Sequence, residues 1–143
     1  MTVKPEKILY TAHATSTGGR EGTSKSDDGV LDLKLTTPKG LGGNGAVGTN
    51  PEQLFAAAWS ACFEGAIGLA ARQMKIALPA DLAIDAEVDL SLADGTHFLR
   101  ARLNVRLPGL DRDLAQALVD AAHEACPYSK AVRGNVDVTI TLV

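Results

Sequence analysis

Hydrophobic and polar positions along this chain form distinct patterns that predict its elements. Residues that alternate between apolar and polar predict strands with one covered face, at residues 8–16, 31–35, 84–92, 99–107 and 136–142. A nearly uniform apolar stretch, residues 54–71, predicts a buried central helix. The order strands, helix, strands, helix, strand indicates an α+β domain with an antiparallel sheet packed on a long central helix. No linker interrupts it, so a single domain, 1–143, is predicted.

Both helices have recognisable starts. Asn50 is a good N-cap, Pro51 suits the first helical position, and Gln53 completes a capping box. This helix should end before Pro79, and its many small residues allow a second backbone, such as its own copy in a dimer, to pack closely. Asp111 is predicted to cap the second helix. Its buried stripe is predicted at five positions, Leu114, Leu118, Ala121, Ala122 and Ala125.

The segments on either side of Asp94-Gly95 form the clearest predicted hairpin. A two-residue turn there pairs Ala93 with Thr96. Asp89 then lies opposite Arg100, and Glu87 lies opposite Arg102. Such charge pairs are typical of the solvated face of a sheet rather than of a functional site. A shorter strand at Thr23–Ser26 is also predicted, followed by a turn at residues 27–29.

Composition narrows the possible partners and the compartment. The net charge is −3 and aromatic residues make up only 4%, which argues against a nucleic-acid surface or an anionic membrane surface. The N-terminal segment lacks an apolar signal region, so a cytoplasmic location is expected. Ser60 and Glu64 argue against a membrane span in the central helix. In a reducing cytosol, Cys62 and Cys126 should be thiols with three possible uses: inert core, metal ligands or redox chemistry.

Redox chemistry at Cys62 would need a thiolate, a nearby cation and a way to recover from the sulfenic acid. The helix dipole fades within the first turn, so Cys62 needs another positive group, and Arg20 in a glycine-rich turn is a candidate. The glycine-rich loop 38–48 lacks the residues of a phosphate-binding loop. A zinc site using His13, Cys62, His123 and Cys126 is a possible alternative, although only the last two are spaced as a ligand pair.

Three separated segments resemble one family. They are ATSTGGREG at 14–22, NPEQLFAAAWSACF at 50–63 and CPYSKAVRGNV at 126–136. Together they resemble the OsmC/Ohr family, and most closely its organic hydroperoxide resistance branch. The resemblance implies that family's fold, in an intertwined homodimer. A non-catalytic binding member of the same fold is the alternative.

The resemblance also implies a reaction and a role for each site residue. Cys62 matches the cysteine that attacks an organic hydroperoxide, and Cys126 matches the resolving cysteine. Arg20 matches the arginine that stabilises the thiolate, and Glu52 matches its acidic partner. The family implies no bound cofactor or metal. Its oxidised form is reduced by an external dithiol, such as the lipoyl group of a lipoylated protein.

The spacing of two of these residues has a structural consequence. Glu52 and Cys62 would lie roughly 15 Å apart along one continuous helix. Either the helix is broken between them, or Glu52 serves the Cys62 of a second chain. The apolar residues near Cys62, which are Leu54, Phe55, Trp59 and Phe63, suit an organic hydroperoxide, although any of them could be ordinary core.

Overall fold

The computed structural model describes residues 2–143, which form two compact units. The first unit extends to Pro51, and the second comprises Glu52–Val143. The first contains three short strands and two 3-10 turns, and the second contains three helices and three strands. The α+β class predicted from the hydrophobic pattern is confirmed.

The first unit is built on a three-stranded antiparallel sheet. Its strands are β1 (Ala14–Thr17), β2 (Thr23–Ser26) and β3 (Asp32–Lys34), in the order β1-β2-β3. The predicted strand at Thr23–Ser26 and the turn after it are confirmed.

The predicted strand at residues 8–16 is correct only in its last part, from Ala14 onward. The apolar residues before Ala14 are exposed, with Ile8 at 76% and Tyr10 at 82%. The apolar face that these residues would form as a strand is therefore not covered within this unit.

The second unit begins with α1 (Pro51–Met74), followed by the hairpin of β4 (Ala83–Ala93) and β5 (Thr96–Arg106). The hairpin register is the predicted one, with Ala93 opposite Thr96. Asp94 and Gly95 form the turn with φ of 50° and 76°, as a two-residue turn between twisted strands requires.

The chain continues through α2 (Arg112–Ala125), α3 (Pro127–Val132) and β6 (Asp137–Leu142). β6 pairs with β5 in parallel, so the sheet β4-β5-β6 is mixed and not wholly antiparallel as predicted. The reason is the connection: α2 and α3 return the chain to the starting end of β5, and a crossover of this kind produces a parallel pair.

The core of the second unit lies between α1, α2 and the sheet. Its largest fully buried side chains include Trp59, Phe63 and Ile67 of α1, Leu103 of β5 and Leu118 of α2. α1 is also long and apolar enough to cross a membrane. Its buried face is accounted for by this core, so α1 is the core helix of a soluble protein.

The buried stripe of α2 differs from the predicted one. Leu114 is 37% exposed, whereas Ala115 and Val119 are buried. Leu118 and Ala122 belong to both the predicted and the observed stripe, so their spacing is compatible with either one. The observed stripe is rotated by one position and continues to the fully buried Cys126. The predicted cap is confirmed, because the Leu114 N–H donates to Asp111 Oδ1 at 3.1 Å.

Candidate active site

The structure brings Cys62 and Cys126 together. Cys62 lies near the middle of α1 and is partly exposed, whereas Cys126 lies between α2 and α3 and is fully buried. Both are free thiols, and their side chains share a hydrogen bond. One accessible thiol with a second, covered thiol in contact is an arrangement that can form a disulfide without a large movement of the chain.

The local sequence explains the position of Cys126. Its N–H donates to the Ala122 carbonyl at 2.8 Å, which completes the last turn of α2. Pro127 has no N–H to continue that helix but suits the first position of a new one. The Cys126 carbonyl then accepts from the Lys130 N–H at 3.0 Å, which starts α3. Cys126 is thus held by hydrogen bonds on both sides.

The groups around Cys62 favour its neutral thiol. Burial raises the pKa of Cys62, and the Cys126 thiol raises this pKa further through its hydrogen bond and its charge. The backbone N–H of Tyr128 donates to the Cys62 sulfur and lowers the pKa, without reversing the net shift. An efficient thiolate nucleophile at this position therefore requires a cation.

An aromatic cluster joins residues that neighbour the two cysteines along the chain. The ring of Phe55 meets Trp59 edge-on at 5.9 Å between centroids and meets Tyr128 edge-on at 6.4 Å. Trp59 Nε1–H donates to Ser129 Oγ at 3.2 Å. Trp59 and Phe63 are fully buried and belong to the core, whereas Phe55 and Tyr128 retain exposed surface.

Sequence reasoning assigned no role to Tyr128 or Ser129. Both belong to the CPYS segment, whose resemblance to the family identifies only Cys126. The signal that could have found them is the helix start at Pro127: residues in the first turn of a helix that follows Cys126 must lie close to it.

Arg20 lies in the first unit, in a 3-10 turn between β1 and β2. The turn needs its glycines. Gly18 has a φ of 75°, and a Cβ at Gly22 would lie 1.7 Å from the Thr17 carbonyl oxygen. The neighbouring Glu21 accepts a hydrogen bond from the Thr37 N–H at 3.1 Å. The sequence therefore fixes the backbone on which Arg20 is presented.

Glu52 lies in the first turn of α1, in the second unit with both cysteines. α1 is continuous from Glu52 to Cys62, so the structure does not bring these two residues of one chain together. The broken-helix alternative is excluded. The roles of Arg20 and Glu52 in catalysis stay predictions.

The residues of the zinc alternative are distributed as follows. His13 lies in the first unit, and His123 lies on α2. Burial lowers the pKa of His123, and the charge of Arg133 adds to this effect, against the opposite influence of Glu124 and Asp120. Among residues 2–143, no three His, Cys, Asp or Glu side chains are grouped so that they could hold a metal ion.

Comparison with known proteins gives consistent matches. The family model described as OsmC-like protein matches residues 42–141. An organic hydroperoxide resistance protein of Xanthomonas axonopodis pv. citri (strain 306) is 54% identical over 138 residues, which is 96% of this chain and 97% of that protein. The organic hydroperoxide resistance protein OhrB of Bacillus subtilis (strain 168) is 46% identical over 134 residues, which is 94% of this chain and 98% of that protein.

Solved structures agree with these matches. The crystal structure of OhrB of Bacillus subtilis superposes with a TM-score of 0.86 at 47% identity, and covers 95% of this chain and 100% of that chain. An organic hydroperoxide resistance protein from Legionella pneumophila superposes with a TM-score of 0.89 at 47% identity, and covers 95% and 98% respectively.

Proposed function

This chain belongs to the OsmC family, in its organic hydroperoxide resistance branch, and on that premise we propose that it is a thiol peroxidase that reduces organic hydroperoxides to alcohols. The observation that carries this proposal is the contact between the partly exposed Cys62 and the buried Cys126. A peroxidase of this type needs one thiol that meets the substrate and a second that removes the oxidised product, and the two cysteines meet these needs.

The proposed reaction proceeds in three steps. The Cys62 thiolate attacks the outer oxygen of the hydroperoxide, the O–O bond breaks, and the other oxygen leaves with a proton as the alcohol. Cys62 is then a sulfenic acid. The Cys126 sulfur attacks the Cys62 sulfur, the S–O bond breaks, and water leaves as the disulfide forms. An external dithiol finally reduces the disulfide and becomes a disulfide itself.

Arg20 and Glu52 are proposed to activate the first step. A guanidinium beside Cys62 would favour the thiolate and polarise the peroxide, while a carboxylate would hold that guanidinium in place. Support comes from the pKa of Cys62, which burial and Cys126 raise. The reaction therefore needs a positive group of this kind.

The substrate is proposed to be an organic rather than an inorganic hydroperoxide. Phe55 lies two turns before Cys62 on α1, and its ring meets that of Tyr128, two residues after Cys126, so these partly exposed rings would offer an apolar contact to the organic group. Hydrogen peroxide would gain nothing from this surface.

A homodimer with composite sites is proposed because α1 is continuous and Glu52 cannot serve its own Cys62. The exposed face of α1 carries Ala57, Ala61 and Gly65 at intervals of four residues. Such small residues allow two helices to approach closely. The reductant is proposed to be a lipoyl-type dithiol on a protein, in the cytoplasm, with no bound prosthetic group.

A peroxidase assay tests this proposal. Purified protein is given tert-butyl hydroperoxide or hydrogen peroxide, with dihydrolipoamide or thioredoxin as reductant. We expect fast, repeated alcohol formation with the organic substrate and dihydrolipoamide, and slower consumption of hydrogen peroxide. If neither thiol reacts with either peroxide, the non-catalytic alternative is correct. If thioredoxin alone supports turnover, the peroxidase proposal stands and the lipoyl proposal is wrong.

A further inference from the structure

A buried hydrogen bond joins α1 to α3 one helical turn away from the thiols. Trp59 Nε1–H donates to Ser129 Oγ at 3.2 Å, and both side chains are fully buried. Trp59 precedes Cys62 by three positions in α1, and Ser129 follows Cys126 by three positions. The hydrogen bond and the thiol pair are therefore two adjacent connections between the same two helices.

The chemistry of this contact is not explained by packing alone. A buried hydroxyl is costly without a hydrogen bond, and alanine would occupy the Ser129 position without that cost. Likewise, the indole N–H of a buried tryptophan needs an acceptor. Trp59 and Ser129 satisfy one another, at a fixed distance, across the helices that carry the two cysteines.

A third contact joins the same helices. The ring of Tyr128 meets the ring of Phe55 edge-on, and a hydrogen bond from the Tyr128 backbone lowers the pKa of Cys62. The start of α3 is thus attached to α1 through three residues, Cys126, Tyr128 and Ser129. Of their contacts, only the hydrogen bond from Trp59 is buried, directional and independent of the oxidation state of sulfur.

We propose that the Trp59–Ser129 hydrogen bond is a clamp that holds Cys126 against Cys62 and so sets the rate of disulfide formation. This rests on the peroxidase function proposed above. The clamp acts on the second step, in which the Cys126 sulfur displaces water from the Cys62 sulfenic acid. A reaction between two held groups is fast only while their geometry is maintained. The competing reaction is that with a second hydroperoxide molecule, which oxidises the Cys62 sulfenic acid to sulfinic acid.

The main test is Ser129→Ala, which removes the acceptor. The control is Ser60→Ala, since the Ser60 hydroxyl donates within α1, to the Ala56 and Ala57 carbonyls at 2.8 and 3.1 Å. Single-turnover mixing with cumene hydroperoxide measures alcohol release for the first step and loss of free thiols for the second. Trp59 is the only tryptophan, so its emission follows closure in real time.

We expect Ser129→Ala to release alcohol at the wild-type rate but to form the disulfide about tenfold more slowly. During turnover, the hydroperoxide concentration that inactivates half of the protein should fall by a similar factor, with sulfinic acid at Cys62 by mass spectrometry. Ser60→Ala should match wild type in both steps. A general folding defect would instead lower alcohol release as well.

A second variant separates positioning from stability. Trp59→Phe with Ser129→Ala removes donor and acceptor together, so no buried polar group is left without a partner. We expect this double variant to recover part of the stability lost in Ser129→Ala while disulfide formation stays slow. Because this variant lacks Trp59, its disulfide formation is measured by counting free thiols instead of by fluorescence.

The outcomes separate the two proposals. Disulfide formation at the wild-type rate in both variants overturns the clamp while leaving the peroxidase intact. Disulfide formation that recovers in step with stability in the double variant also overturns the clamp, because folding and not positioning was affected. Absence of alcohol release in wild type overturns the peroxidase function, and the clamp with it.

Discussion

Cys62 is partly exposed and Cys126 is buried, which predicts that their serine variants differ in alcohol release. Cys62→Ser should abolish turnover, because the remaining thiol, Cys126, is buried and cannot meet the hydroperoxide. Cys126→Ser should still release about one alcohol per chain and then stop as a sulfenic acid or its over-oxidised forms. Quantifying alcohol under single turnover checks both.

Stoichiometric alcohol release by Cys62→Ser would contradict the assignment of the attacking thiol. If Cys126→Ser releases no alcohol at all, Cys126 is needed before the first step as well as after it.

The pH dependence of the first step follows from the raised pKa of Cys62. The thiolate is the reactive form, so alcohol release should accelerate as pH rises toward the pKa of Cys62, which burial and Cys126 raise above that of an ordinary thiol, and level off beyond it. Removing a cation disfavours an anion, so Arg20→Ala should move the midpoint to higher pH. Thiolate absorbance measures both titration curves, with Cys62→Ser as the baseline. Identical curves for wild type and Arg20→Ala would mean that another group activates Cys62.

Some features of the site could be predicted from residues alone, and others could not. A cation requirement follows from the chemistry of a mid-helix cysteine, and the thiol contact followed from the family resemblance. The Trp59–Ser129 hydrogen bond was not predicted, because its partners are 70 positions apart. In the sequence, Trp59 is explained as a core residue and Ser129 as a residue in the first turn of a helix. A pairwise contact between helices depends on their packing, which hydrophobic periodicity does not specify.

At the scale of single elements, the end of α1 contains a strained residue. Lys75 has a φ of 56°, which side chains other than glycine disfavour. Its N–H donates to the Arg72 carbonyl at 3.3 Å, and the Ile76 N–H donates to the Ala71 carbonyl at 2.9 Å. These two bonds define a Schellman motif, whose left-handed position is usually glycine.

Lys75→Gly should therefore stabilise the protein by about 1 kcal/mol, since glycine adopts this conformation without the steric cost. Urea unfolding with an unchanged slope measures the gain. Lys75→Ala removes the same charge without relieving the backbone and is the control. Equal stability of the glycine and alanine variants would show that the left-handed conformation carries no cost here.

Prediction of elements succeeded where the relevant interactions are local. The β4–β5 register was predictable because a two-residue turn fixes every later pair. Even there, the ion pairs differ in detail: Arg102 donates to both oxygens of Asp89, at 2.7 and 2.9 Å, as well as to Glu87. This bidentate contact helps to lower the pKa of Asp89.

Elements that depend on distant chain segments were predicted less well. The parallel pairing of β6 depends on how α2 and α3 return the chain, which no strand pattern contains. The apolar residues Ile8, Tyr10 and Ala12 alternate like a strand but belong to none of the strands in the described part of the first unit. Their pattern indicates a covered face without identifying what covers it.

For the whole molecule, the central prediction is a composite site shared by two chains. α1 runs unbroken through Glu52 and Cys62, which places them roughly 15 Å apart along the axis. Arginine cannot join a carboxylate and a thiolate over that span at hydrogen-bond distances. If the resemblance assigns Glu52 correctly, it must serve the Cys62 of the second chain.

Mixing two inactive proteins, Cys62→Ser and Glu52→Ala, under subunit exchange tests this prediction. Each heterodimer would have one site lacking both groups and one intact site, because each chain supplies what the other lacks. With equal amounts and random exchange, about a quarter of all sites should be intact, and activity should return to about that fraction of wild type. Exchange is verified independently with a mass-tagged chain.

The contrary outcome is equally specific. If Glu52 acts within its own chain, every site in the heterodimer lacks either Cys62 or Glu52, and mixing restores nothing. Because α1 is continuous, that result would leave Glu52 too far from Cys62 to hold its activating cation. Glu52 would then contribute in another way than by holding the cation, and full activity of a Glu52→Gln variant would show that its charge is not required.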